Sequence, residues 1–170
     1  MLALASMNPA SQGPRKRRKR RVGADGLVQW SEMHSAAWIG LLETHKRLTR
    51  ELEAQLEAEH GLSISSLELL SRLATADEHM LRLTTLADAA GLSLSRVSRI
   101  LDKLEQRGLV ERRADADDTR AKNAWITAPG LELLHAAQTT HFAGVERLFF
   151  DRLSDSDVET LARVFKPFRR

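Results

Sequence analysis

The chain has 170 residues, 26 Lys and Arg against 23 Asp and Glu, a net charge of +3, and neither cysteine nor tyrosine. Without cysteine there can be no disulfide, thiolate metal ligand or thiol nucleophile; no apolar run approaches the roughly 20 residues that cross a bilayer, so a cytoplasmic protein is expected. Seven positive charges fall in Arg15–Arg21, which leaves about −4 on the remainder, so the basic balance alone is no argument for a nucleic-acid partner.

Residues 1–26 carry this basic run among Pro9, Gly13, Pro14, Gly23 and Gly26, with few large apolar side chains, and read as a disordered extension in which Met7 is an alternative start to Met1. The run is either a solvated tail or an arm that neutralises phosphates. From Ser31 to about His60, Trp38, Leu41, Leu42, Leu48, Leu52 and Leu56 recur at three- and four-residue steps, which predicts one long amphipathic helix ended by Gly61. Ser65-Ser66-Leu67-Glu68 suggests a capping box for a second helix reaching about Ala74. Leu81-Arg82-Leu83 could add a short edge strand, and Thr84 or Thr85 would cap a third helix through Ala90, closed by Gly91.

Ser93 is placed to cap a fourth helix running to Arg107, with Val97, Ile100, Leu101 and Leu104 facing inward and Gly108 stopping it. Two strands follow, Leu109 to Arg113 and Lys122 to Ile126, around a polar turn. Thr127 with Pro129 opens a fifth helix, and Ser154 with Asp157 caps a sixth that ends near Pro167.

The third and fourth helices, joined by a glycine-containing turn, have the pattern of a helix-turn-helix. The outer face of the fourth carries Ser95, Arg96, Ser98 and Arg99. Short hydroxyls allow close approach to a groove floor, and arginine reads guanine O6 and N7 bidentately. Lys103 is better placed for a phosphate. The hairpin adds Arg112, Arg113, Arg120 and Lys122, cations expected on a projecting wing, where Arg120 would enter a minor groove and Asp118 would hold it extended. Asp115 and Asp117 suit the turn itself.

Leu86-Ala87-Asp88, Ser95-Arg96-Val97-Ser98-Arg99, Leu104 to Val110, Arg112-Arg113, Asp118-Thr119-Arg120 and Ile126 to Gly130, in this order and spacing, resemble the multiple-antibiotic-resistance regulator (MarR) family of winged helix-turn-helix proteins, over about Trp30 to Phe168. The resemblance implies a mainly α fold with a small β-hairpin wing. It also implies a homodimer built by the first, fifth and sixth helices, and binding of double-stranded DNA at a palindromic operator, usually in repression. It divides the chain into an extension (1–26), an N-terminal dimerisation helix (27–61), a winged helix-turn-helix domain (62–127) and C-terminal dimerisation helices (128–168). Ser95, Arg96, Ser98 and Arg99 match recognition-helix positions, and Asp118 and Arg120 a wing-tip pair. Family members are commonly released by small aromatic ligands. The basic extension has no counterpart in the family pattern.

The residues independently point to a dimer: Leu153, Val158, Leu161, Val164 and Phe165, beside Phe149 and Phe150, are more apolar surface than a small lobe would cover. An enzyme would need a constellation that is missing, since no phosphate-binding glycine loop or His-Glu-x-x-His motif occurs and the six histidines are scattered. No cofactor or metal is expected, and His135 and His141, six apart, do not share a helical face. The alternative is a winged-helix module for protein contacts or non-specific DNA binding. Core packing is the first reading of Trp38 and Trp125. A sharper one puts His34, Trp38 and Arg72 around a small-molecule pocket.

Overall fold

The computed structural model describes residues 21–114 and 122–168, in two compact units that divide at Glu43 and Thr44. The first unit contains a two-stranded antiparallel hairpin, β1 (Arg21–Val22) and β2 (Val28–Gln29), paired Arg21 to Gln29 and Val22 to Val28. Its turn is closed by Gly23 N to Leu27 O at 2.9 Å and Gly26 N to Gly23 O at 3.0 Å, with Gly26 at φ +77°. Residues 21–26, for which the sequence predicts disorder, thus form a strand and a hydrogen-bonded turn. Two-residue strands are too short to show a period of two, and the glycines that read as breakers are what make the turn. Residues 1–20 lie outside the described residues, and so does the disorder expected of them.

The long helix α1 (Glu32–His60) begins in this first unit. Trp38 does not enter a core as expected; it meets Trp30 edge to face at 6.1 Å and stays 47% exposed.

The second unit takes up α1 from Thr44, and there Leu52 and Leu56 are buried. α2 (Ile64–Thr75) is capped by Ser63, whose Oγ accepts from Ser66 N at 3.0 Å, and Glu53 of α1 accepts from Ile64 N at 2.9 Å. The cap thus sits two residues before the expected Ser65. Any of the three serines at 63, 65 and 66 fits a cap by composition, and the carboxylate that settles the matter comes from another helix. β3 (Met80–Arg82) leads directly into α3 (Leu83–Ala90), which has Arg82 at its N-cap and no side-chain cap, instead of Thr84 or Thr85. Burial of Leu83 with Leu86 and Ala87 starts this helix without one.

α4 (Leu94–Gln106) follows the turn at Gly91, which is left-handed at φ +64°. Strands β4 (Val110–Ala114) and β5 (Lys122–Ile126) pair antiparallel, with Val110 opposite Ile126 and Ala114 opposite Lys122, and β3 adds to the other side of β5. The sheet order is β3-β5-β4. Leucines at 56, 62, 69, 70, 73, 86, 101 and 104, with Val97 and Val110, are almost wholly enclosed and join these elements into one core.

α5 (Ala128–Leu148) starts at Thr127, which accepts from Gly130 N at 3.1 Å and donates to Gly108 O at 2.7 Å. A β-carbon on Gly130 would lie 2.1 Å from the Leu109 carbonyl oxygen, so the root of the wing and the start of α5 approach as only glycine permits. α6 (Asp155–Phe165) opens with a capping box between Ser154 and Asp157, as the sequence predicts, and has no buried residue. Among the described residues no helix is long and apolar enough to cross a membrane.

Candidate nucleic-acid interface

α4 presents its N-terminal half to solvent. Ser93 Oγ accepts from Arg96 N at 3.3 Å and fixes the first turn. Val97, Leu101 and Leu104 are buried on one side, which leaves Ser95, Arg96, Arg99 and Lys103 exposed on the other, with Ser98 at the margin. Two of these cations are held rather than free: Arg96 Nη2 donates to Ser65 Oγ of α2 at 3.3 Å, and Arg99 Nε donates to the Ser95 carbonyl at 3.3 Å. Both contacts are long and exposed, easily exchanged for a stronger acceptor such as a base edge or a phosphate.

The wing strands sort their arginines by face. Val110 is buried, and a period of two places Arg112 on the same inner side and Arg113 outside. Arg112 is 18% exposed at its side chain, with Nη2 2.7 Å from Asp102 Oδ1 and 2.5 Å from Glu105 Oε2, Nε 3.0 Å from Glu105 Oε2, and its backbone N 2.9 Å from Glu105 Oε1. Its hydrogen bond to Glu105 raises the guanidinium pKa further, and the same bond holds the Glu105 carboxyl below the usual range. Arg112, expected on the DNA side, is instead a strut between β4 and α4. Alternation from Val110, with Asp102 and Glu105 three apart on one helix, was the signal that locates it.

Arg113 points outward, 68% exposed, with Nη2 2.5 Å from Glu111 Oε2 and its guanidinium 5.5 Å from the Trp125 ring centre. Trp125 is therefore half-covered by an arginine on the outer face and not packed in the core. Lys122 is exposed at the start of β5, opposite Ala114. Asp118 and Arg120, with Asp115 and Asp117, lie outside the described residues.

An exposed basic helix face, preceded by a short helix and followed by a two-stranded wing, has close relatives. The model of the MarR family matches residues 62–122. The transcriptional regulator HosA of Escherichia coli O157:H7 is 32% identical over 93 residues, 55% of this chain and 68% of that protein. The crystal structure of AbsC, a MarR family transcriptional regulator from Streptomyces coelicolor, superposes with a TM-score of 0.76 at 31% identity, over 82% of this chain and 94% of that one. Sco3205, a MarR family transcriptional regulator from the same organism in complex with DNA, gives a TM-score of 0.76 at 28% identity, over 82% of this chain and 89% of that one.

This chain belongs to the MarR family. It is a transcriptional regulator of that family and not an enzyme. Among its described residues no cluster of three or more His, Asp or Glu could hold a metal ion. Of the three residues read as a possible ligand pocket, His34 and Trp38 belong to the first unit and Arg72 to the second. His34 Nδ1 is 2.5 Å from Ser31 Oγ, and Arg72 is engaged by Glu68 Oε1 at 2.7 Å. Sequence reasoning missed Ser65 as the partner of Arg96 in this MarR-family chain. It also missed Arg107, whose guanidinium donates to the carbonyls of Gly61 at 2.6 Å and His60 at 2.9 Å. Neither contact has a sequence signal, because each spans 31 residues or more.

Proposed function

We propose that this protein binds double-stranded DNA as a homodimer at a palindromic operator and represses transcription there by obstructing the polymerase. The observation that carries the reading is the exposed N-terminal half of α4, where Ser95, Arg96, Ser98 and Arg99 lie on one face of a helix that the wing flanks. These four read base edges; Lys103, Arg113 and Lys122 contact phosphates, and Arg120, extended by Asp118, enters a minor groove. The DNA complex of Sco3205 supports the duplex as ligand.

The dimer reading rests on the uncovered apolar residues of α6 and the turn after it, where Val164 is 46% and Phe168 80% exposed, and on Leu41 and Leu42 of α1, exposed as well. On this reading residues 27–61 and 128–168 are dimerisation segments around a DNA-binding domain at 62–127. Two-fold symmetry then sets two α4 helices about one turn of DNA apart, roughly 34–36 Å. A small aromatic effector is favoured by one observation, the half-exposed Trp30–Trp38 pair. Such a ligand releases DNA only by binding the incompetent spacing of the two α4 helices more tightly than the competent one.

The test is selection of duplexes from a random library by the wild-type protein, followed by anisotropy titration of a selected and a scrambled duplex at several salt concentrations. A two-fold symmetric selected site, preferred by about 10³ or more, is expected. Arg99→Ala should weaken the selected duplex by about 1–3 kcal/mol and reduce the preference. Equal, weak binding of both duplexes overturns the reading in favour of a protein-contact or non-specific DNA-binding module.

A further inference from the structure

The two halves of α4 have different employment. Its N-terminal half faces outward, whereas its C-terminal end is tied twice to other elements, through Asp102 and Glu105 to Arg112 of β4 and through Arg107 to the end of α1. The second tie is a fork of two charge-assisted hydrogen bonds onto carbonyls that a helix C-terminus leaves without intrahelical partners. The cation also complements the negative end of the α1 dipole. His60 continues the junction, its Nε2 lying 2.8 Å from Thr140 Oγ1 of α5. Gly61, at φ +61°, turns the chain so that both carbonyls face one guanidinium.

We infer that Arg107 is a positioning residue for operator binding, which sets the pitch of α4 against α1 and thereby against the α4 of the second subunit. The inference rests on the dimeric DNA-binding reading. Val97, Leu101 and Leu104 hold α4 to its own lobe, but aliphatic packing has no direction, and among the described residues the Arg107 fork is a directional link from α4 to the C-terminal end of α1. From Ser95 to Arg107 the helix spans roughly 18 Å, at about 1.5 Å per residue. A tilt of about 10° at the Arg107 end therefore moves Ser95 by about 3 Å, several times what a base hydrogen bond tolerates. A lobe meeting one half-site alone can reorient to absorb that tilt; two lobes bound at once cannot.

The test uses full-length protein and two duplexes derived from the selected site, one with both half-sites and one with a single half-site. Arg107→Lys keeps the charge and loses the fork, and Arg107→Met loses both. Both variants should bind the two-half-site duplex about 10-fold more weakly, bind the single half-site within about twofold of wild type, keep the wild-type salt slope, and tolerate altered half-site spacing better. Full two-half-site affinity in Arg107→Lys would mean that charge alone matters, as in a phosphate contact, and overturns the inference. So does an equal loss on both duplexes, a salt slope lowered by about 0.9 per site, or a collapse of the melting temperature in both variants. A wild-type protein that shows no preference for two half-sites would instead overturn the operator reading itself.

Discussion

The lobe formed by α2, α3, α4 and the three-stranded sheet buries Leu67, Leu69, Leu70, Leu73, Leu83, Leu86, Leu101 and Leu104 within one chain, whereas α6, of similar length to α2 and α4, buries none of its residues. Both stretches are amphipathic. What separates them is whether the apolar face meets other elements of the same chain, and the difference predicts two kinds of failure. A defect in the lobe should be felt at every protein concentration; if α6 covers its apolar face with a second copy, as proposed, a defect there should be felt as a change in the concentration at which the molecule assembles.

Leu101→Ala offers the largest effect, about 2–5 kcal/mol of lost stability, because Leu101 is wholly buried between α4 and the core. Urea unfolding at two protein concentrations should give the same loss at both. Next comes Leu161→Asp on α6, which should weaken self-association 100-fold or more, about 2.7 kcal/mol, in sedimentation velocity, with the lobe's hydrogen-exchange protection unchanged. Should that variant unfold the lobe instead, α6 would be part of the monomer's core and the contrast between the two regions would be lost.

Within the lobe, Glu105→Gln leaves Arg112 with a weaker partner in a half-buried site, at a cost of about 1–3 kcal/mol. The same pair carries a pH signature. The Arg112 hydrogen bond lowers the pKa of Glu105 in the folded state below the ordinary 4.5, so its stabilisation is complete above that value and drains away as pH falls through the folded pKa. Wild type should therefore lose more stability on acidification below about pH 4.5 than Glu105→Gln does, measured by thermal melts across that range. The smallest effect is Ser93→Ala, which removes the α4 cap for about 1 kcal/mol and should appear as faster hydrogen exchange confined to Arg96 and its neighbours.

Most of the fold was legible in the sequence because it is written in local signals. Periodicity gave the helices, and Gly91, Ser93, Thr127 and Ser154 with Asp157 gave four of the boundaries that the structure has. The errors arose where a distant residue decides. Glu53 of α1 completes the start of α2, so the choice among three serines could not be made locally; burial of Leu83 starts α3 without a polar cap. The cations show the same limit. Counting them credited Arg112 to the DNA face, although strand alternation from Val110 already pointed it inward toward Asp102 and Glu105. Arg107 had no such clue, since its acceptors are backbone carbonyls more than forty positions away.

The chain has three tryptophans and no tyrosine, and two of the tryptophans, Trp30 and Trp38, lie together in the first unit. The third, Trp125, sits on the wing beneath the Arg113 guanidinium. A protein in which Trp30 and Trp38 are replaced by Phe would thus carry a single fluorophore whose emission senses one arginine. If Arg113 leaves the ring for a phosphate, as proposed, the colour and lifetime of that emission should change, and the wing's engagement becomes an optical signal that needs no attached dye.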